Sequence, residues 1–332
     1  MNDRQYCSLD RPIFCDTGQK RRVGFELEFS GLELESVAQT LADVLEGKVV
    51  PKTKAECLVE SKDLGTFKIE LDWQLGKRMA RQREEDRDSQ GDDPLMSMLA
   101  SVASEVVPVE VVCPPIDADR LEALNPVVEA LRDAGAIGTS ASLVYAFGVH
   151  INPELPDTKA VTIAGYLKAF SLAQEWLVDQ HSVDLSRRIT PYIDLFPASY
   201  VREVLDYDEN VTLEQLIDDY VVHNPTRNRA LDMTPLFRHL DEDRLVSAID
   251  DERINARPTF HYRLPNSHLG EDGWYLNRSW NLWCVIERLS QDSAMMDEIS
   301  QAWKARDDQL ITLEGYAWHK QLSDILNDLL SA

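Results

Sequence analysis

Basic residues are scarce in this chain. Against 58 Asp and Glu, the 332 residues include only 34 Lys and Arg, a formal charge of −24. Such a surface repels nucleic acid and anionic membranes at long range, which removes both as default partners. An anionic substrate needs local arginines or bound cations to enter. Cysteine is equally sparse: Cys7, Cys15, Cys57, Cys113 and Cys284 stand apart, with no Cys-x-x-Cys pair. That spacing excludes a zinc ribbon and a redox dithiol. The odd count, with no apolar signal region in Met1 to Lys20, leads us to expect reduced thiols in a cytoplasmic setting. No apolar run approaches the length of a membrane span. A Gly-x-x-x-x-Gly-Lys-Ser/Thr loop is missing too, so any nucleotide is held by something other than a P-loop. With no internal repeat, coiled coil or low-complexity tract, the expectation is one α+β catalytic unit over residues 21–332 behind a lead-in of 1–20.

What the chain does have is a set of alternating strands. Gly24-Phe25-Glu26-Leu27-Glu28-Phe29 puts Glu26 and Glu28 on one face and Phe25, Leu27 and Phe29 on the other. Thr66 to Trp73 does the same with Lys68, Glu70 and Asp72 opposite Phe67, Ile69, Leu71 and Trp73, the period of two that a strand imposes. Phe147 to Asn152 and Phe260 to Leu264 repeat the pattern with His150, His261 and Arg263. Alternation ordinarily marks a solvated sheet face. Here the apolar faces are heavy with aromatics, and the polar faces lack the usual mix of Lys, Thr and Ser. Carboxylates spaced two apart repel one another unless a cation sits among them, which points to a hard divalent metal site.

The remaining pattern is mostly helical. An amphipathic helix is expected over Glu33–Glu46, a hairpin over 49–61, a strand over Val106–Cys113 and helical pieces over 117–134 that divide at Asn125-Pro126, where Asn can cap and Pro can open a helix. A long helix follows from 157 to 181. The second half reads as helices near 197–206, 212–222, 234–250, 278–291, 294–306 and 313–331, interrupted by a strand over Pro258–Pro265. The charge run Gly76–Asp93 reads as a solvated insertion, with a lid as the alternative, and Pro94–Glu105 as a short helix. Arg187, Arg188 and Lys168 read as surface charge, and Trp274, Trp280, Trp283, Trp303 and Trp318 as helix-packing residues.

Collected together, the candidate ligands are Glu26, Glu28, Glu70 or Asp72, Glu110 and His150, accompanied by Arg257 and Arg263. Oxygen-rich sites with one imidazole suit Mg2+ or Mn2+ better than zinc. Several carboxylates hold more than one ion, and two such ions with arginines are what a nucleoside triphosphate site requires.

Four segments in order then resemble a known family. They are Gly24 to Phe29, Glu70-Leu71-Asp72, Glu110-Val111-Val112-Cys113-Pro114-Pro115, and Phe147-Gly148-Val149-His150-Ile151-Asn152. They are similar to the successive motifs of the amidoligase family, a branch of the glutamine synthetase and glutamate-cysteine ligase superfamily, over roughly residues 21 to 270. The resemblance implies a bent antiparallel sheet with helices on one face and a mostly helical C-terminal half. It implies an ATP-dependent carboxylate-amine ligase working through an acyl phosphate. By its motifs, Glu28, Asp72 and Glu110 would surround one ion, and Glu26 and His150 a second. Arg227 to Met233 is similar to the family's Arg-Tyr-x-x-Leu-Asn segment. Thr259 to Leu264 is similar to its Glu-Phe-Arg strand, whose arginine, here Arg263, contacts phosphate.

The chain departs from that last motif, with His261 where the family has Glu, and the departure bears on one metal position or its identity. Arg263, Arg257 and Arg229 are the candidates for stabilising the transferring group, and Arg263, Arg227 and Lys68 for binding nucleotide. Expected partners are small-molecule or peptide carboxylates and amines, with a glutamine amidotransferase-like or cyclotransferase-like protein alongside. A nucleotide- or peptide-binding relative without turnover, and a metal-dependent hydrolase, are the alternatives.

Overall fold

The computed structural model describes residues 4–9, 13–72, 108–139, 147–183, 193–307 and 313–331. The 76–93 charge run, the helix expected from Pro94, Trp73, Arg187, Arg188 and the side chain of Trp318 lie outside them. Among the described residues, nine strands form one open sheet. They are β1 (Arg22–Phe29), β2 (Lys48–Thr53), β3 (Glu56–Ser61), β4 (Gly65–Leu71), β5 (Val109–Val112), β6 (Ile116–Asp117), β7 (Val149–Pro153), β8 (Leu231–Asp232) and β9 (His261–Tyr262). The order across the sheet is β2-β3-β4-β5-β1-β7-β9-β8, with β6 beside the start of β1. All of these pairings are antiparallel.

Period-two alternation gives this sheet two unlike faces. Phe25, Leu27, Phe29, Phe67, Ile69, Val109, Val111, Val149, Ile151 and Tyr262 are buried in the core. Helix α1 (Leu34–Val44) packs against β3 and β4, and α2 (Asn125–Asp133) packs on α1. Below β9, α3 (Ala160–Gln180) lies against α8 (Asn277–Gln291), and Phe170, Tyr262, Trp283, Tyr166 and Phe260 form a continuous aromatic seam. The rest of the helical half comprises α4 (Ala198–Asp206), α5 (Leu213–His223), α6 (Thr234–Leu240), α7 (Glu242–Ala248), α9 (Ser293–Asp307) and α10 (Leu313–Ser331). None of the described helices is long and apolar enough to cross a membrane. All five cysteines are free.

Several elements differ from the sequence expectation. Asn125 does not cap α2; its Oδ1 accepts from the Tyr6 hydroxyl at 2.9 Å, and a 3-10 turn, Leu121–Leu124, precedes it. The helix expected over 234–250 is two, because Asp241 ends α6 and its carboxylate then accepts from Arg244 N to start α7. The Pro258–Pro265 strand shrinks to His261–Tyr262, with single bridges at Thr259 and Asn266, as its bounding prolines cannot donate to a ladder. The lead-in is partly built into the core: Trp280 Nε1 donates to Cys7 O at 2.8 Å, and Cys7 N to Asn281 Oδ1 at 2.7 Å.

Candidate functional site

Register sets the site. Across β4, β5 and β1, Glu70, Glu110 and Glu28 stand directly opposite one another, and Glu26 on β1 faces His150 on β7. Asp232 on β8 faces His261 on β9. Like charges in line across neighbouring strands destabilise a sheet unless something positive lies among them. Because residues two apart share a face, the same surface also carries Lys68, Asn152 and Arg263.

Two groups of ligating atoms come together on it. One joins Glu26, His150 and His261, the other Glu28, Glu110 and His150, and within each group the atoms lie within 4.8 Å of one another. His150 serves both because its ring stands between them. Its Nδ1 is 2.9 Å from Glu26 Oε2 and its Nε2 is 3.7 Å from Glu28 Oε1. Glu28 Oε2 accepts from Gly148 N at 2.7 Å, which fixes the β1 carboxylate against β7. Glu70 and Asp72 belong to neither group. Glu70 is paired to Lys68 at 2.7 Å, on the outer side of Glu110.

The electrostatics are lopsided. Burial pushes the Glu110 carboxyl well above its ordinary range, and Glu26, Glu28, Asp72 and Glu70 push it the same way. Burial opposes ionisation of Glu26 as well, yet the hydrogen bond from His150 and the Arg257 guanidinium hold it well below the usual carboxylate value. His261 is driven well below the ordinary imidazole value by burial, aided by His150 and the two arginines, so it stays neutral. Lys68 is raised: burial works against its charge, and the Glu70 pair outweighs it.

The arginines are distributed unevenly. Arg257 Nη1 donates to Glu26 Oε1 at 2.5 Å. Arg263 Nη1 donates to Arg227 O at 2.6 Å, and these two cations are close enough that burial and Arg263 together lower Arg227. Asp232, raised by burial, is balanced by Arg263 and by the Thr234 N and Oγ1 donors at 2.9 and 2.7 Å. Arg229 lies apart from the carboxylates; its guanidinium donates to Leu195 O at 2.9 Å and His223 O at 3.2 Å.

With that geometry in place, a comparison with known families is decisive. The family model described as "Putative amidoligase enzyme" matches residues 19–285. The chain belongs to the amidoligase family. No curated protein and no solved structure matches it. The matched span runs from before β1 to within α8, so it includes every candidate ligand of both groups and the four arginines.

Sequence reasoning missed Asn152 as a site residue. Its Nδ2 donates to Glu26 Oε1 at 3.0 Å and its Oδ1 lies 2.6 Å from His261 Nδ1, which ties β1, β7 and β9 together. Period two from His150 was the signal that could have found it. For an amidoligase that uses magnesium, Glu28 and Glu110 fit, since one or two carboxylates with water and phosphate oxygens make up the usual shell. Glu26 with two imidazoles fits magnesium poorly.

Proposed function

We propose that this amidoligase joins a carboxylate to an amine at the expense of ATP. The observation that carries the reading is the pairing of Glu28 with Glu110 on the polar sheet face, beside Arg257, Arg263 and Arg227. Glu28 and Glu110 would hold magnesium, with Asp72 and Glu70 flanking them. When bound, the ion offsets charge on the phosphate oxygens.

In this reading Arg263 and Arg227 receive the phosphate charge that moves during transfer, since the two cations stand close together beside the sheet, near Asp232. Arg257 keeps Glu26 ionised, and Arg229 holds the 223–229 loop through two carbonyls instead of touching the reacting atoms. Lys68 stands at the rim as a further nucleotide contact. A substrate carboxylate oxygen attacks the γ-phosphorus, ADP leaves and an acyl phosphate results. The amine nitrogen then attacks the carbonyl carbon, phosphate leaves, and the amine gives up a proton. The site must exclude water while the acyl phosphate lives. Small-molecule or peptide substrates suit an acidic surface with arginines concentrated at one face. A glutamine amidotransferase-like or cyclotransferase-like partner and a cytoplasmic setting belong to the same proposal.

The test is release of ADP and phosphate from mixtures of carboxylates and amines, with and without Mg2+. Amine-dependent ADP release that disappears in Glu28→Gln supports the ligase. His261, where the family has Glu, favours a second reading, a relative that binds nucleotide without turnover. Nucleotide binding with no ADP release in any mixture supports that reading instead, and cleavage without ATP supports a hydrolase.

A further inference from the structure

Glu26, His150 and His261 differ from the Glu28 and Glu110 pair in the chemistry of their donors. Two of three are imidazole nitrogens, which bind transition-metal ions well and magnesium badly. The hydrogen bonds around them show which atoms are already engaged. Glu26 Oε1 accepts from Arg257 Nη1 at 2.5 Å and from Asn152 Nδ2 at 3.0 Å, leaving Oε2 toward the histidines. With Asn152 Nδ2 donating to Glu26, its Oδ1 must be the atom 2.6 Å from His261 Nδ1, so Nδ1 carries the His261 proton. The lone pair then sits on Nε2, which has no hydrogen-bond partner among the described residues.

This is the outer-shell arrangement of a metal-binding histidine, whose far N–H is taken by a carbonyl or carboxylate. His150 brings the second nitrogen: its Nδ1 is 2.9 Å from Glu26 Oε2, a hydrogen bond that would give way to the ion, while its Nε2 lies 3.7 Å from Glu28 Oε1.

We propose that Glu26 Oε2, His150 Nδ1 and His261 Nε2 form a second centre that takes a divalent transition-metal ion of the manganese-to-zinc series, not magnesium. The proposal rests on reading the polar sheet face as a divalent-cation site. Asn152 is a positioning residue in it. The site would therefore be mixed, with oxygen ligands for magnesium on β1 and β5 and nitrogen ligands for the softer ion on β7 and β9.

The experiment titrates Mn2+ into the full chain, alone and in saturating Mg2+, by calorimetry and by pulsed electron paramagnetic resonance, which detects nitrogen bound to manganese. Two nitrogen couplings that survive excess Mg2+ are expected. His261→Glu should remove one coupling and lower the ratio of Mn2+ to Mg2+ affinity about tenfold or more. Asn152→Ala should weaken Mn2+ by about 10–100-fold while leaving both imidazoles in place. His261→Gln replaces His261→Glu if that variant does not fold, with the same loss of one coupling expected. Manganese without nitrogen coupling, or an affinity ratio untouched by either substitution at 261, overturns the proposal. If Mg2+-dependent nucleotide binding persists in that case, the ligase reading survives alone. If nitrogen-coupled manganese is found and ADP release is not, the transition-metal centre stands and the ligase reading falls.

Discussion

Two charge clusters lie on opposite sides of the same sheet, and they are built on opposite plans. Beneath it, Arg21 and Glu287 form a two-pronged pair, Nη1 to Oε2 at 2.9 Å and Nη2 to Oε1 at 2.6 Å, both 1–2 % exposed. Trp283 Nε1 donates to Glu287 Oε1 at 2.9 Å, the Tyr166 hydroxyl donates to Oε2, and Arg21 Nε donates to Glu154 O at 2.8 Å. One cation meets one anion and the carboxylate's lone pairs are filled. On the upper face Glu28, Glu110 and Glu70 line up with Lys68 as the neighbouring cation, and among the described residues no donor reaches the Glu110 carboxylate. A closed cluster is a structural device. An open, same-sign cluster is relieved either by a proton, which Glu110 is placed to hold, or by a bound cation.

Breaking the closed cluster should have the largest effect. Arg21→Met leaves Glu287 buried and uncompensated, so about 3–5 kcal/mol of folding stability is lost. Urea unfolding would measure it, and the loss should be the same with or without Mg2+. A change below about 1 kcal/mol would mean that the pair is not carrying buried charge.

The open cluster should respond in the other direction. Glu110→Gln puts a permanently neutral group in the middle of a row of three carboxyls, so the ion-free protein should be no less stable than the parent. Its affinity for Mg2+ should fall about a hundredfold or more, beyond what loss of an outer-shell partner costs. Calorimetry reads the second effect and thermal unfolding the first. A destabilised ion-free variant would show that Glu110 is held by contacts that Glu28 and Glu70 do not explain.

The pH dependence sharpens the same contrast. Glu110 is raised above its ordinary value of 4.5, so the folded state holds a proton there that the unfolded state has lost. Its contribution is intact below that value and is lost as pH rises toward the folded value. His261 is lowered from 6.5 and acts oppositely below that pH, so the difference between parent and Glu110→Gln isolates the carboxyl. The ion-free parent should lose ground to the variant as pH rises, by on the order of 2 °C in the unfolding midpoint. Mg2+, which displaces the proton, should cancel the trend and bind more tightly at higher pH. The Arg21 cluster predicts no such Mg2+ dependence.

The upper face was readable from sequence because strands impose period two, and Glu26, Glu28, Glu110 and His150 need only that rule to be put on the polar face of their strands. The four long strands β1 to β4 and the helices from α3 onward, apart from the break at Asp241 between α6 and α7, followed from the same local patterns. What sequence could not supply was register. Whether Glu28 faces Glu110 or Val112 depends on hydrogen bonds between segments about 80 residues apart, and a slip of one would turn the carboxylates into the core. The two-residue strand β8 is too short to carry a pattern. Arg21 was unreadable for a different reason: its partner is on α8, and an arginine preceding a strand gives no sign that it is buried.

The smallest effect is expected where the two plans meet. Lys68 is half-exposed and pairs with Glu70, so its charge partly neutralises the outer end of the carboxylate row. Lys68→Ala should cost only about 0.2–1 kcal/mol, the range of exposed ion pairs, and less in high salt. Freeing Glu70 adds negative charge beside Glu110, so the proton on Glu110 should be held more firmly and Mg2+ should gain more affinity per unit of pH than in the parent. If Lys68 also contacts nucleotide, KM for ATP rises while kcat changes little, because a rim contact binds ground state and transition state alike. A fall in kcat with KM unchanged would instead place Lys68 on the transferring phosphate, and move the working end of the site from β9 toward β4.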